Sequence, residues 1–334
     1  MKPAAFGDMA RTAQMQRQSA HARQQIAVLQ QELASGRAAS SKGRSSAEIT
    51  LISGLERTRA NHDALMANAA MAGAVLDGQD RALAAITATI EPRIEELGQP
   101  EFLRSDMALP GAAARSEEAL RDLVAMLNSS VAGRSIFAGS AHDAPALADA
   151  DTMLAALAAQ IPPGASADSV MQTVAGWFAP GGGFDDAGYL GGPAATAAVP
   201  LGEGEGLRLD LTAQAGAFRD LMANLASAAL IGRGVLQGDP AQQREVLAQS
   251  GKQLAQTHAE IGQVQTLVGM RQAQLDTATA RLAAAKSAAD IALSELRDVD
   301  PFKTAAELQA SIARLEQIYL VTARLSRLSL SEYL

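Results

Sequence analysis

The sequence predicts a mainly α fold, a long antiparallel helical bundle or coiled-coil rod built from N- and C-terminal arms, with a small α+β insert domain. Apolar residues recur every seventh position from Leu247 to Leu296, with no proline inside the run. Of the 334 residues, 48% are hydrophobic but only 3% are aromatic, which suits narrow helix seams better than a broad globular core. Glycine and proline are concentrated between residues 139 and 211, where the helical spacing is interrupted.

The first helix is predicted over residues 8–33, within an N-terminal arm of residues 1–44. Ile26, Leu29 and Leu33 lie on one of its faces, and Gly36 is a suitable C-terminal stop. Few apolar residues occur in its earlier half, so this helix is marginal without a partner. The arm has seven bases against two acids, but the whole chain is acidic, and a solvated helix face is favoured over a nucleic-acid site.

Two helices follow in a predicted rod segment of residues 45–139. The first begins near Ser45 or Ser46 and keeps a four-three alternation of apolar residues as far as Leu97. Pro92 should end or kink this helix unless a neighbour holds it. After a break at Pro110-Gly111, the apolar spacing predicts a shorter amphipathic helix.

Residues 140–210 are predicted to form a compact, acidic α+β insert domain. Nine acids stand against a single arginine in residues 139–210, so this segment carries the whole net charge of -8. Leucines alternate with charged residues over 207–211, which predicts a strand. Four of the eleven aromatic residues could seed a small separate core here: Trp177, Phe178, Phe184 and Tyr189.

The chain then returns to helix, in a second rod segment of residues 211–299 and a C-terminal arm of residues 300–334. A helix is predicted over 213–231, and the long helix over Pro240–Arg297. Asp239-Pro240 and Asp300-Pro301 each place a capping acid before a proline, so the last helix is a separate element. A helix over 240–297 would be about 85 Å long, which points to a structural role.

No pattern in the sequence supports catalysis or a bound cofactor. The chain has no cysteine, and its four histidines are isolated from one another without metal-ligand spacing. Residues 202–206 lack the lysine of a phosphate loop, and the G-x-S-x-G motif of serine hydrolases is absent. We therefore predict no enzymatic activity, no cofactor, no metal and no nucleic-acid partner. Without a signal-peptide-like stretch or a run of eighteen apolar residues, no membrane partner is predicted either.

The two ends of the chain resemble bacterial flagellins and their relatives. Residues 31–37 resemble the L-x-S-G-[KR] segment that follows the first helix in this family, and residues 307–334 are similar to the family's C-termini. Gly133-Arg134-Ser135-Ile136-Phe137-Ala138-Gly139 resembles the G-R-x-[LI]-F-[AG]-G segment of the members that join hook and filament. Residues 41–46 depart from the family, where Asp-Asp-Pro usually follows the first motif, and the glycine spacing of the insert also differs.

The resemblance implies an extracellular structural subunit that joins the flagellar hook to the filament by polymerising through its terminal helices. It also implies export through the flagellar type III channel without a cleaved signal peptide. The partners that it implies are further copies in a ring, the adjacent hook-associated protein, flagellin and an export chaperone. Together with the periodicity, it predicts an assembly interface of nine residues: Ile26, Leu29, Leu33, Leu308, Ile312, Leu315, Tyr319, Leu325 and Leu328.

Two other functions stay open at the level of sequence. Filament flagellin shares both arms, although residues 133–139 argue against it, and polymer length would distinguish the two. A cytoplasmic coiled-coil adaptor is the alternative from another class. That function predicts protease-resistant termini and a stable oligomer of fixed size.

Overall fold

The computed structural model describes residues 4–39, 45–193, 198–202 and 204–331, with side chains described outside residues 4–9, 11, 12 and 325–331. Over these residues the chain is mainly helical, which confirms the predicted fold class. The described residues also form two small antiparallel sheets of two strands each. The elements, with a π-helical turn at Phe184–Gly188, are α1 (Ala4–Ser35), α2 (Ser46–Leu97), α3 (Pro100–Leu103), α4 (Leu109–Leu127), β1 (Ser130–Val131), β2 (Arg134–Ser135), α5 (Ala150–Ala158), α6 (Ala167–Phe178), β3 (Val199–Gly202), β4 (Glu205–Leu207), α7 (Gly216–Gly232), α8 (Pro240–Arg297) and α9 (Pro301–Ser331).

Helices α8 and α9 begin at the predicted prolines because the acid before each proline caps the helix. Oδ1 of Asp239 accepts a hydrogen bond from the backbone N–H of Gln242 at 3.1 Å. Oδ1 of Asp300 accepts one from the N–H of Phe302 at 2.9 Å. Each acid satisfies an N–H that has no carbonyl partner in the first turn.

The heptad positions of α8 are buried, as the sequence predicts. They face neighbouring helices along the length of α8, whereas Leu296 at its end is half-buried. The buried positions are Leu247, Leu254, Ile261, Val268, Leu275, Leu282 and Ala289.

Two prolines that the sequence treats as breaks lie inside helices. Pro92 does not end α2, which continues to Leu97. Its ring lies on the exposed side of α2, next to the fully buried Ile90, so packing holds the helix while water can serve the freed carbonyl. Pro110 lies in the first turn of α4, where no intrahelical partner is needed for the missing N–H.

The structure forms two compact units. Unit 1 comprises Met1–Asp63 and Ala284–Leu334, and unit 2 comprises Ala64–Ala283. Unit 1 contains α1, α9, the first part of α2 and the last part of α8. The five-part division into arms, rod segments and insert stays a prediction.

Unit 2 has one continuous core that includes the insert. Helices α4 and α7 pack against each other, and both α5 and α6 contact α7. All four insert aromatic residues belong to the same core as these helices. The expectation of a separate insert core is therefore wrong, because α7, which follows the insert in the chain, packs against the insert helices α5 and α6. The predicted strand at 207–211 starts earlier than expected and ends at Leu207 within a β3–β4 hairpin.

Candidate assembly surface

Helices α1 and α9 pack against each other in unit 1 as an antiparallel pair. The hydroxyl of Thr322 donates a hydrogen bond to Sδ of Met15 at 3.5 Å, so the first half of α1 lies beside the last half of α9. Nε of Arg23 donates to the hydroxyl of Tyr319 at 3.0 Å, and its guanidinium lies 5.8 Å from the ring centroid. The side chains buried on these two helices are few and mostly small: Ala22, Leu29, Thr304 and Ser311.

The predicted assembly residues are divided between this seam and the outer surface. Leu29 is buried, Leu33, Ile312 and Tyr319 are exposed, and Ile26, Leu308 and Leu315 are half-buried. The side chains of Leu325 and Leu328 lie outside the described residues. Whether these positions contact another subunit stays a prediction. The sequence analysis missed Ala22, Thr304 and Ser311 because their side chains are small or polar, although they have the seven-residue spacing of a seam.

A backbone clasp, formed by residues 36–38 and 297–299, joins the end of α1 to the α8–α9 connection. The N–H of Ala38 donates to the carbonyl of Arg297, and the N–H of Val299 donates to the carbonyl of Gly36, both at 3.0 Å. Gly36 has φ +70° and donates its own N–H to the carbonyl of Glu32, which closes α1. The L-x-S-G-[KR]-like segment thus ends one helix and fastens it to the opposite end of the chain.

The parts of α2 and α8 in unit 1 are linked mainly by exposed ion pairs. Arg59 lies 3.5 Å from Asp290, and Lys286 and Arg297 pair with Asp63 and Glu56. The hydrogen bond from Lys286 lowers the pKa of Asp63. Exposed pairs of this kind contribute little stability. Large apolar side chains nearby in unit 1 remain uncovered: Ile49, Leu51 and Ile291.

The segment Gly133–Gly139 contributes to the folding of unit 2 through a hairpin turn and a buried aromatic ring. Gly133 closes the β1–β2 hairpin at φ +78°, and Phe137 is fully buried, with its ring 5.7 Å from that of Phe218 in an edge contact. A Cβ on Gly139, which has φ +61°, would lie 2.5 Å from the carbonyl oxygen of Gly192. Gly133 and Arg134 are the exposed members of the motif. Most of the motif therefore has a structural role.

One buried arginine ties α7 to the insert. Arg219 pairs with Asp185, and its Nη1 donates to the carbonyl of Phe178 at 3.0 Å. Its guanidinium also lies 4.7 Å from the ring centroid of Phe184. Arg219 is 7% exposed, so losing a partner would leave an uncompensated buried charge.

In the part of the chain that the structure describes, no three His, Cys, Asp or Glu side chains are grouped so as to hold a metal ion. Among those same residues, no helix is long and apolar enough to cross a membrane.

Comparison with known proteins finds two similarities. Residues 252–334, which include all of α9, match the bacterial flagellin C-terminal helical region. A solved structure described as a flagellar hook-associated protein from Vibrio parahaemolyticus matches with a TM-score of 0.53 and 16% identity, over 77% of this chain and 100% of that chain. A search of curated protein sequences found no significant match.

The match of residues 252–334 supports the resemblance to bacterial flagellins that the sequence shows at the C-terminal end of the chain. Of the elements that form the seam and the clasp, α9 and residues 297–299 lie in the matched region. The fold, in turn, is one that a flagellar hook-associated protein shares.

Proposed function

We propose that this chain is a structural subunit that joins the bacterial flagellar hook to the filament by polymerising through its terminal helices. The observation that carries the proposal is the uncovered apolar surface of α9. Tyr319 is 47% exposed, Leu320 62% and Val321 48%. Covering these side chains with another subunit would supply the apolar burial that the narrow α1–α9 seam lacks.

A junction position is supported by two features of the chain. Residues 133–139 carry the motif that resembles the junction members of the family, and the fold matches that of a flagellar hook-associated protein. Filament flagellin is the second candidate, which the match of residues 252–334 to the flagellin C-terminal region favours.

In this proposal the protein acts outside the cell, at the junction of hook and filament, without catalysis. Its partners are further copies in a ring, the adjacent hook-associated protein and flagellin. A chaperone holds the chain before export, which uses no cleaved signal peptide. The absence of cysteine suits a chain that passes unfolded through a narrow channel.

Deletion of the gene from its host tests the proposal. Electron microscopy of the cells and immunoblots of the medium for flagellin give the readout, and a strain complemented with the wild-type gene is the control. Hooks without filaments, with flagellin shed into the medium, are expected. Hooks without filaments and without shed flagellin would favour the filament-subunit function, and intact filaments would contradict both.

A further inference from the structure

Two different surfaces lie on opposite flanks of the α1–α9 seam. The line through Thr304, Ser311 and Leu315 faces α1. At about 100° per residue, Ile312, Tyr319 and Leu320 lie about 60–160° to one side of that line. Arg314 and Val321 lie about 80–100° to the other side. The bond between Arg23 and Tyr319 confirms that Tyr319 lies beside α1 on the first flank.

The first flank carries an exposed apolar stripe, defined as Ile312, Tyr319 and Leu320. These side chains are 38%, 47% and 62% exposed. Glu316 lies one turn from both Ile312 and Leu320 and is also exposed. The stripe is therefore apolar, with one negative charge inside it.

The second flank carries a groove between α1 and α9 with a volume of about 470 Å³. Met15 and Ala22 line it from α1, and Ile318 and Val321 line it from α9. Arg314 also lines the groove and is exposed. The groove is therefore partly apolar, with a positive charge at its edge.

We propose that the stripe of one copy packs into the groove of the next copy, with Glu316 facing Arg314 across the contact. The inference rests on the proposed function and names the contact through which the copies polymerise. Neither Arg314 nor Glu316 forms an ion pair with another side chain among the described residues, so both charges are available to a neighbour. Because the two surfaces differ and lie on opposite flanks, the contact is head-to-tail, and such contacts build rings or helical polymers.

Cysteine cross-linking in assembled flagella tests this contact, since the chain has no cysteine of its own. In the deletion strain, Leu320→Cys marks the stripe and Gln18→Cys marks the groove. Flagella from cells producing both variants are isolated and oxidised. Immunoblots for the chain before and after oxidation show its incorporation and its covalent dimers. Covalent dimers are expected with the two variants together and not with either alone. A chain that carries both cysteines should give a ladder of higher oligomers.

The outcomes separate this inference from the proposed function. Absence of the wild-type chain from isolated flagella would defeat both. Incorporated chains that give no dimers between the two variants, or dimers from Leu320→Cys alone, would defeat the head-to-tail contact and leave the proposed function standing. Gln24→Cys is at an exposed position on α1 outside the groove. If it cross-links to Leu320→Cys with the same efficiency as Gln18→Cys, the head-to-tail contact is also defeated.

A charge exchange gives a second measurement. Glu316→Arg and Arg314→Glu should each lower the amount of chain in isolated flagella several-fold, because each places like charges across the contact. The double variant restores opposite charges and should recover most of the wild-type amount. A double variant that incorporates no better than the worse single variant would overturn the pairing.

Discussion

Units 1 and 2 bury their apolar residues to very different extents. In unit 2, Phe137, Phe184 and Phe218 are fully buried within one core. In unit 1, the α1–α9 seam buries little beyond Leu29 and small side chains. The large apolar residues of α9 are left exposed instead. This difference indicates that unit 2 is stabilised by its own packing, and we propose that unit 1 gains stability from contacts with other copies.

The largest expected effect is the loss of assembly without loss of unit 2. Leu315→Asp places a charge on the half-buried seam side of α9 and should abolish incorporation into flagella. Trp177, the only tryptophan, is buried in unit 2, so its fluorescence reports the unfolding of that unit. The urea midpoint of the Trp177 fluorescence transition in Leu315→Asp should stay at the wild-type value. Ala306→Asp, at an exposed position of α9, is the control, and normal incorporation of Leu315→Asp would contradict the comparison.

A second prediction compares the two cores directly. Phe137→Ala removes a fully buried ring that contacts Phe218 and should lower the free energy of unfolding of unit 2 by about 3–5 kcal/mol. The measurement is urea unfolding followed by Trp177 fluorescence. Leu29→Ala in unit 1 should leave that transition unchanged while reducing helicity measured by circular dichroism. Equal shifts of the Trp177 transition in both variants would show that the units are not independently stabilised.

The sequence predicted best what depends on local patterns. The starts of α8 and α9 follow from the Asp-Pro pairs, and the buried face of α8 follows from its heptads, because both signals lie within one element. The clasp could not be derived in this way. It pairs backbone atoms of Gly36 and Val299, which carry no side-chain signal and are far apart in the chain. Resemblance to the family marked the segment, but only the structure shows what it holds.

The assembly surface was only partly predictable for a related reason. Apolar periodicity identifies Leu29 and Leu315, but it assigns Ile312 and Tyr319 to the same face as the seam residues. In the structure those two side chains are exposed on one flank of α9. Periodicity identifies which residues of a helix are apolar. The position of the partner helix decides which of those side chains stay exposed.

The two outer glycines of the Gly133–Gly139 motif offer an intermediate effect within unit 2. Gly139→Ala adds a left-handed strain of about 1–3 kcal/mol and a clash with the backbone of Gly192. Gly133→Ala adds the left-handed backbone strain but no clash, since nothing lies within 4 Å of the added Cβ. Gly139→Ala should therefore be the more destabilising of the two when unfolding is followed by Trp177 fluorescence. The reverse order would contradict the packing described at Gly192.

The smallest expected effect is a dependence of unit 2 on pH at acidic values. Burial raises the pKa of Asp185, but hydrogen bonds from the backbone N–H of Gly181 and from Arg219 outweigh burial and leave the pKa below its ordinary value of 3.8. A carboxyl group with a lower pKa in the folded chain adds stability above its ordinary pKa and loses that stability as the pH falls through the folded value. The free energy of unfolding of unit 2 should therefore decrease as the pH falls below about 4. Asp185→Asn should weaken this dependence, and Asp186→Asn, at the exposed neighbouring position, is the matched control. If Asp185→Asn and the wild type lose stability equally between about pH 4 and pH 2, the Asp185–Arg219 pair does not contribute to the stability of unit 2 in this way.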